Sequence, residues 1–397
     1  MLKSAHTKRL AFAVAMTATL GTTFVGGSAQ ADPKQLTAAV GVGSDTTQDV
    51  MNAMTGFTNG VNYTPIQSTS ASGYRQVISF DALPPAGVAD ACITPKVGGP
   101  TFARPQGSSA GRKALSRAQD GTKYGNAACG GVQDVAGLVD FARSSAGPAS
   151  GDVGTALTYV PFGRDGMSFA YYRAAGSPVT TLTRAQLTTL FTTGVQTING
   201  VRILPCGIQT NSGTYAFWQL VTTATAIQEA AATLECNNLL AAGRAEENAG
   251  DQLKARGDAA DAATAGTQVV IGFSAGSFIS KANLVAPGAP PAGVLMGSID
   301  DGATPAVISS PVVGTAPNLT PNSTFYASSI YGRNVYNVFP TAVIASGFGN
   351  DDLKSLFVGT TSSLCSASTT IERFGFQALG ANCGTTTLKG SLISGQL

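Results

Sequence analysis

Leu36-Thr37-Ala38-Ala39-Val40-Gly41-Val42-Gly43 is an apolar, strand-like run that ends in glycines, and Ser44-Asp45-Thr46-Thr47 follows it directly. Val50, Met51, Met54 and Phe57 then fall at helical spacing, and Thr46 with Asp49 fits a capping box. The order is strand, polar loop, helix. It recurs at Gly107-Ser108-Ser109-Ala110-Gly111 before Lys113-Ala114-Leu115, and again at Asn211-Ser212-Gly213-Thr214 before Tyr215 to Val221. Three loops rich in serine and threonine each open a helix.

Strand-like segments lie between them. Gly137 to Ser145 reads as a strand running into a polar turn, Ala156 to Val160 and Met167 to Tyr172 as two further strands, and Gln268 to Phe273 as an apolar strand. Thr183-Arg184-Ala185-Gln186 forms a capping box for a helix from Ala185 to Phe191. Asp258 to Gly266 reads as an alanine-rich link and Pro287 to Gly293 as a loop. Strands alternating with helices indicate an α/β fold with largely parallel sheets.

The N-terminus has the pattern of an export leader: Lys3, Lys8 and Arg9, an apolar run from Leu10 to Val25, and Ala29-Gln30-Ala31 before Asp32. Residues 1–31 are expected to be removed after Ala31, with no cysteine nearby to carry a lipid anchor. Of 24 basic residues three leave with the leader, so 21 face 22 acidic ones and the mature charge is −1. That excludes the basic footprint of a nucleic-acid binder. About 366 mature residues exceed one ordinary core, so two lobes are expected. Six cysteines in an exported chain indicate disulfides, and neighbour pairing, Cys92–Cys129, Cys206–Cys236 and Cys365–Cys383, closes each loop within one region.

Val269 to Gly276 spells an apolar strand followed by Gly272-Phe273-Ser274-Ala275-Gly276, the GxSxG of a nucleophile elbow. A serine hydroxyl needs an imidazole to take its proton, and the only histidine is His6, inside the leader. A serine–lysine variant would have to bring Lys281 to Ser274, and no spacing does so. Histidine-based metal sites are excluded for the same reason, and without a CxxC spacing no metal or cofactor is expected. Asp140, Asp165, Glu246 and Asp251 are too scattered to suggest a carboxylate pair for sugar cleavage. The chain is expected not to be an enzyme.

The three polar helix starts suit a different task. The first turn of a helix presents unpaired backbone N–H groups and a partial positive charge, and hydroxyls beside it can hold an oxyanion without lysine. In order and composition these loops resemble the type II periplasmic solute-binding proteins, specifically the phosphate-binding proteins of ABC transporters. Gly107 to Lys113 is similar to that family's serine-glycine phosphate loop, Val139 to Ser145 to its next strand and turn, and Val160-Pro161-Phe162 with Asp165 to Ser168 to its crossover. Ser212-Gly213-Thr214 resembles its second-lobe anion loop, Thr181 to Phe191 a helix of that lobe, and Gly332 to Val338 its return strand.

The resemblance implies a two-lobed periplasmic-binding-protein type II fold, each lobe a mainly parallel sheet flanked by helices, with two crossover strands. Lobe one is expected at 32–162 plus 271–397 and lobe two at 163–270. It further implies ligand groups at Asp45, Thr46, Ser108, Ser109, Ser145, Ser212, Gly213 and Thr214. The family has an aspartate where Ser145 stands and an arginine where Ile208 stands; Arg143, by its charge, and Gln209 and Asn211, as neutral donors, are the residues expected to compensate. The expected function is capture of a small oxyanion such as phosphate, or another polar solute, by a secreted monomer that serves an ABC permease. The alternative is a surface or matrix protein that reuses the scaffold for adhesion or structure.

Overall fold

The computed structural model describes residues 38–56, 77–84, 91–302, 308–345 and 351–397. The expected leader, residues 1–31, lies outside the described residues, as do Leu36, Thr37 and Phe57. Among the described residues the main sheet has eleven strands: three short ones, Leu295–Met296, Gln377–Ala378 and Lys389–Gly390, pair with its longest strand, and eight form its path, β1 (Ala39–Gly43), β2 (Val77–Ser79), β3 (Phe141–Ser144), β4 (Leu157–Arg173), β5 (Gln196–Ile198), β6 (Val201–Pro205), β7 (Gln268–Ser274) and β8 (Gly332–Pro340). Their order is β5-β6-β7-β4-β8-β3-β1-β2.

β4 organises the molecule. At about 3.3 Å per residue its 17 residues extend for roughly 55 Å, enough to run through two lobes. Leu157 to Gly166 pair antiparallel with β8, and Met167 to Arg173 pair antiparallel with β7. The two strands expected at 156–160 and 167–172 are therefore one. Pro161 would interrupt a regular ladder, and the register of β8 shifts between Val335 and Tyr336, beside the Tyr336–Pro161 pair, as a bulge that accommodates it. The sheet is mixed: β1 pairs parallel with β2 and β3, and β6 with β7, while every neighbour of β4 is antiparallel.

Among the described residues burial divides the core into three clusters. Neighbouring residues of a strand face opposite sides of the sheet, so Phe141 and Phe339 pack with Met51, Phe162 and Phe357, whereas Ala142 and Val338 pack with Val40, Leu115 and Tyr159. The third cluster joins Phe169, Leu190, Leu204, Trp218 and Val270 to Phe278, Ile279, Ile299, Phe325 and Tyr331. Phe278, Ile279, Ile299, Phe325 and Tyr331 thus belong to the cluster around β6 and β7, while Val285 and Ala286 pack with Phe141 and Phe339. Gly332 pairs with Gly166, and beside them Met167 donates its backbone N–H to the Tyr331 carbonyl at 2.7 Å. A Cβ on Gly332 would fall 2.0 Å from the Tyr326 carbonyl oxygen, so the crossing requires glycine.

The helices used below are α1 (Gln48–Met54), α2 (Gly107–Asp120), α3 (Arg184–Thr193), α4 (Gly213–Thr222), α5 (Gly250–Ala263) and α6 (Ala275–Ala282). The capping box at Thr183 and Gln186 forms as its spacing predicts. At α1 the N-cap is Thr47 and its side chain makes no cap bond, so the expected box at Thr46 and Asp49 does not form. Gly107 to Gly111 is the first turn of α2 and not a preceding loop, and 258–263, expected as a link, belongs to α5, where alanine favours helix. The cysteines pair as neighbours, Cys92–Cys129, Cys206–Cys236 and Cys365–Cys383, with Cα separations of 5.7, 5.1 and 5.8 Å. Among the described residues no helix is long and apolar enough to cross a membrane.

Candidate functional site

The loop after β1, the first turn of α2, the turn after β3 and the start of α4 meet at one place, and their polar residues are buried there. Ser44, Ser108, Ser145, Ser212 and Thr214 are at most 2% exposed. Ser108 Oγ accepts the Ser145 backbone N–H at 3.0 Å, and the two hydroxyl oxygens lie 3.2 Å apart. Gly213 fits against both hydroxyls: a Cβ there would fall 2.5 Å from each oxygen. Ser212 caps α4 by accepting the Tyr215 N–H at 3.1 Å.

Several contacts join groups on either side of the β4 crossing. Thr46 and Thr214 hydroxyls approach to 3.2 Å, and Ser109 donates its N–H to the Asn211 carbonyl at 3.1 Å. The centre of the arrangement is a carboxylate that the sequence reading passed over. Glu247, 1% exposed, accepts the Asp45 backbone N–H on Oε1 at 3.2 Å. Its Oε2 accepts the Ser212 hydroxyl and the Thr214 N–H, the latter at 3.4 Å. A buried carboxylate is costly unless donors reach its oxygens, and here the donors come from two separate loops.

A second network stands beside it. Arg333 donates through Nε and Nη2 to Asp165 Oδ2, at 3.1 and 2.9 Å, and through Nη2 to Thr214 Oγ1 at 2.9 Å. Asp165 Oδ1 accepts the Ser274 hydroxyl at 2.9 Å and the Gly276 N–H at 3.0 Å. Ser274 thus occupies the strand-to-helix corner its motif predicts, with its hydroxyl donated to a carboxylate and accepting the Ser277 N–H as the cap of α6. Lys281 donates to the Asn248 carbonyl at 2.8 Å. Asn248 in turn donates to Thr46 Oγ1 at 3.3 Å and accepts the Ser274 N–H at 3.1 Å.

Of the expected ligand residues, Asp45, Thr46, Ser108, Ser145, Ser212, Gly213 and Thr214 are gathered here. Ser109 contributes only its backbone contact to Asn211. Gln209 enters through its backbone, its N–H donated to the Ala245 carbonyl at 2.8 Å and its carbonyl accepting the Ser212 N–H at 3.3 Å. Arg143 is fully buried but points at its own framework: it donates to the Ser44 and Gly43 carbonyls, each at 3.1 Å, and to Ser79 Oγ at 2.7 Å. Burial lowers it to about 10, opposed by the nearby Asp81, Asp45 and Asp49. It braces the β1 loop. Burial also pushes Asp45 well above the usual carboxylate range, a rise that Lys281 opposes and the Glu247 charge reinforces. Arg333, Asp165 and Glu247 complete the site. Asp165 and Arg333 fall in two segments that carry the resemblance, the crossover and the return strand, but nothing local marks their side chains as partners; Glu247 has no signal beyond the scarcity of charged groups, 12% of the chain. Among the described residues no group of three or more His, Cys, Asp or Glu is placed to hold a metal ion.

No protein-family model matches this chain, and no curated protein does. Among solved structures it is similar to an ABC-type phosphate transport receptor from Vibrio cholerae, at 14% identity over 85% of this chain and 99% of that one, with a TM-score of 0.47. An ancestral soluble variant of the human phosphate-binding protein is 14% identical over 87% and 91%, TM-score 0.48. PstS from Borrelia burgdorferi is 13% identical over 87% and 99%, TM-score 0.40.

Proposed function

We propose that this protein is an extracytoplasmic solute-binding protein that captures a small oxyanion, with phosphate the first candidate, between two lobes. The observation that carries this reading is the donor set around Glu247. Backbone N–H groups of Asp45 and Thr214 and the Ser212 hydroxyl converge on a single carboxylate, which is the chemistry a free oxyanion would require. Thr46, Ser108, Ser145 and Gly213 border the same place, and Arg333 supplies the adjacent positive charge through Thr214. Phosphate is also what the similar structures are named for.

In this reading the described residues of 38–162 and 332–397 form one lobe and those of 167–331 the other, with 163–166 of β4 and Gly332 as the crossing between them. Closure by hinge motion about that crossing would bring the Asp45 and Thr214 loops together. The protein binds without transforming its solute: Ser274 donates its hydroxyl to Asp165, and the sole histidine lies in the leader. Three disulfides support an oxidising compartment, where a monomer could present solute to an ABC permease. A thermal-shift screen with phosphate, sulfate, carboxylates and sugars tests the class. A solute at 100 times its dissociation constant stabilises by about 2.7 kcal/mol, so an oxyanion should raise the melting temperature and sugars should not. A shift with sugars alone would overturn the reading.

A further inference from the structure

We infer that Glu247 is a tethered ligand for this cleft: with no solute bound, its carboxylate bridges the two lobes and holds them shut, and a solute enters by displacing it. The inference rests on the proposed function for where the solute sits. Its own support is the geometry of one side chain, whose Oε1 takes an N–H from the β1 loop and whose Oε2 takes two donors from the start of α4.

The segment that carries Glu247 is built to deliver it. Ala245 donates its N–H to the Gly207 carbonyl at 2.9 Å, and Glu246 donates its N–H to Gln252 Oε1 at 3.0 Å. Asn248 adopts a positive φ of 60°, a left-handed turn that asparagine tolerates better than most residues. Its amide is fixed between Thr46 and Ser274, and its carbonyl by Lys281. The Gln106 amide donates to the Glu246 carboxylate, a further link from α2 to the same segment. Positions 246 to 248 therefore touch elements on both sides of the cleft, with Glu247 at the centre.

Two consequences follow from competition. A solute that must displace the internal carboxylate binds with its intrinsic affinity reduced by the fraction of molecules in which the site is free. Removing the carboxylate therefore tightens solute binding and opens the solute-free cleft.

The test compares wild type, Glu247→Ala and Glu247→Gln by small-angle X-ray scattering in oxyanion-free buffer and by calorimetric titration with inorganic phosphate and with sulfate. Wild type should be compact before any addition and change little on adding phosphate. Glu247→Ala should have a larger radius of gyration that phosphate reduces, and should bind phosphate or sulfate at least tenfold more tightly than wild type. If Glu247→Ala does not fold, Glu247→Gln, which keeps the size and removes the charge, carries the same comparison. Solute-free scattering of the folded variant that superimposes on wild type overturns the tether, whatever the binding. Where wild type binds phosphate or sulfate, affinity that is unchanged or weaker in the variant overturns it too, leaving oxyanion capture intact. An open variant when neither protein binds phosphate or sulfate would uphold the tether and overturn the proposed function.

Discussion

The hydroxyl oxygens of Thr46 and Thr214 lie 3.2 Å apart, and the same Thr214 oxygen accepts a hydrogen bond from Arg333 at 2.9 Å. One hydroxyl thus couples the loop after β1 to the start of α4 and to a buried guanidinium. Thr214→Val preserves the shape and removes the coupling. It should weaken inorganic phosphate binding by about tenfold, since a hydrogen bond to a charged group contributes about 1.5–3 kcal/mol. Calorimetric titration at fixed ionic strength checks this, with circular dichroism to confirm the fold.

Asp165 and Arg333 are both buried, at 0% and 3% side-chain exposure, and Asp165 also takes donors from Ser274 and Gly276. Removing one partner leaves a buried charge uncompensated. Asp165→Ala should lower stability by about 3–5 kcal/mol in denaturant unfolding. A loss below about 1 kcal/mol, the range of an exposed pair, would mean that water reaches this pair in solution.

Much of this architecture was legible in the sequence, because it depends on neighbours in the chain. The capping box at Thr183, the Ser212 cap of α4, the corner at Ser274 and the pairing of adjacent cysteines all follow from local spacing. The rest depends on partners far apart. Glu247 meets Asp45 across 202 positions, and Arg333 meets Asp165 across 168, so no local pattern announces either. Arg143 is an expected source of positive charge because it stands two residues before Ser145, but the carbonyls of Gly43 and Ser44 take its donors. β4 does not read as one strand because Pro161, which has no N–H to give a ladder, separates the strand-like 156–160 from the alternation that runs on from 161 to 173.

Asp49 is half-buried, with one carboxylate oxygen sealed and without a partner among the described residues. Burial raises it from 3.8 to about 7; the Asp81 charge adds to the rise, and Lys281 and Arg143 oppose it. The folded protein then holds a proton between those values that the unfolded chain has released. Stability is accordingly full below about pH 4 for this group and falls as pH rises toward 7. Asp49→Asn should flatten that part of the stability profile and gain stability most at pH 7 and above. Urea unfolding from pH 4 to 8 measures it; parallel profiles for wild type and variant would remove Asp49 as the cause.

The Cys206–Cys236 bridge ties β6 to the helical segment 226–237, both cysteines being fully buried. Replacing both with serine should cost about 2–4 kcal/mol. Thermal unfolding with and without reductant should then differ for wild type through this bridge and the other two, and differ less for the variant.

The most direct test of oxyanion capture is calorimetric titration of wild type and Ser212→Ala with inorganic phosphate and with sulfate. The Ser212 hydroxyl is one of the three donors that reach the site's carboxylate. The account predicts saturable binding of one oxyanion by wild type and a loss of roughly tenfold or more in Ser212→Ala. Absence of binding to either oxyanion, or equal affinity in the two proteins, would contradict it.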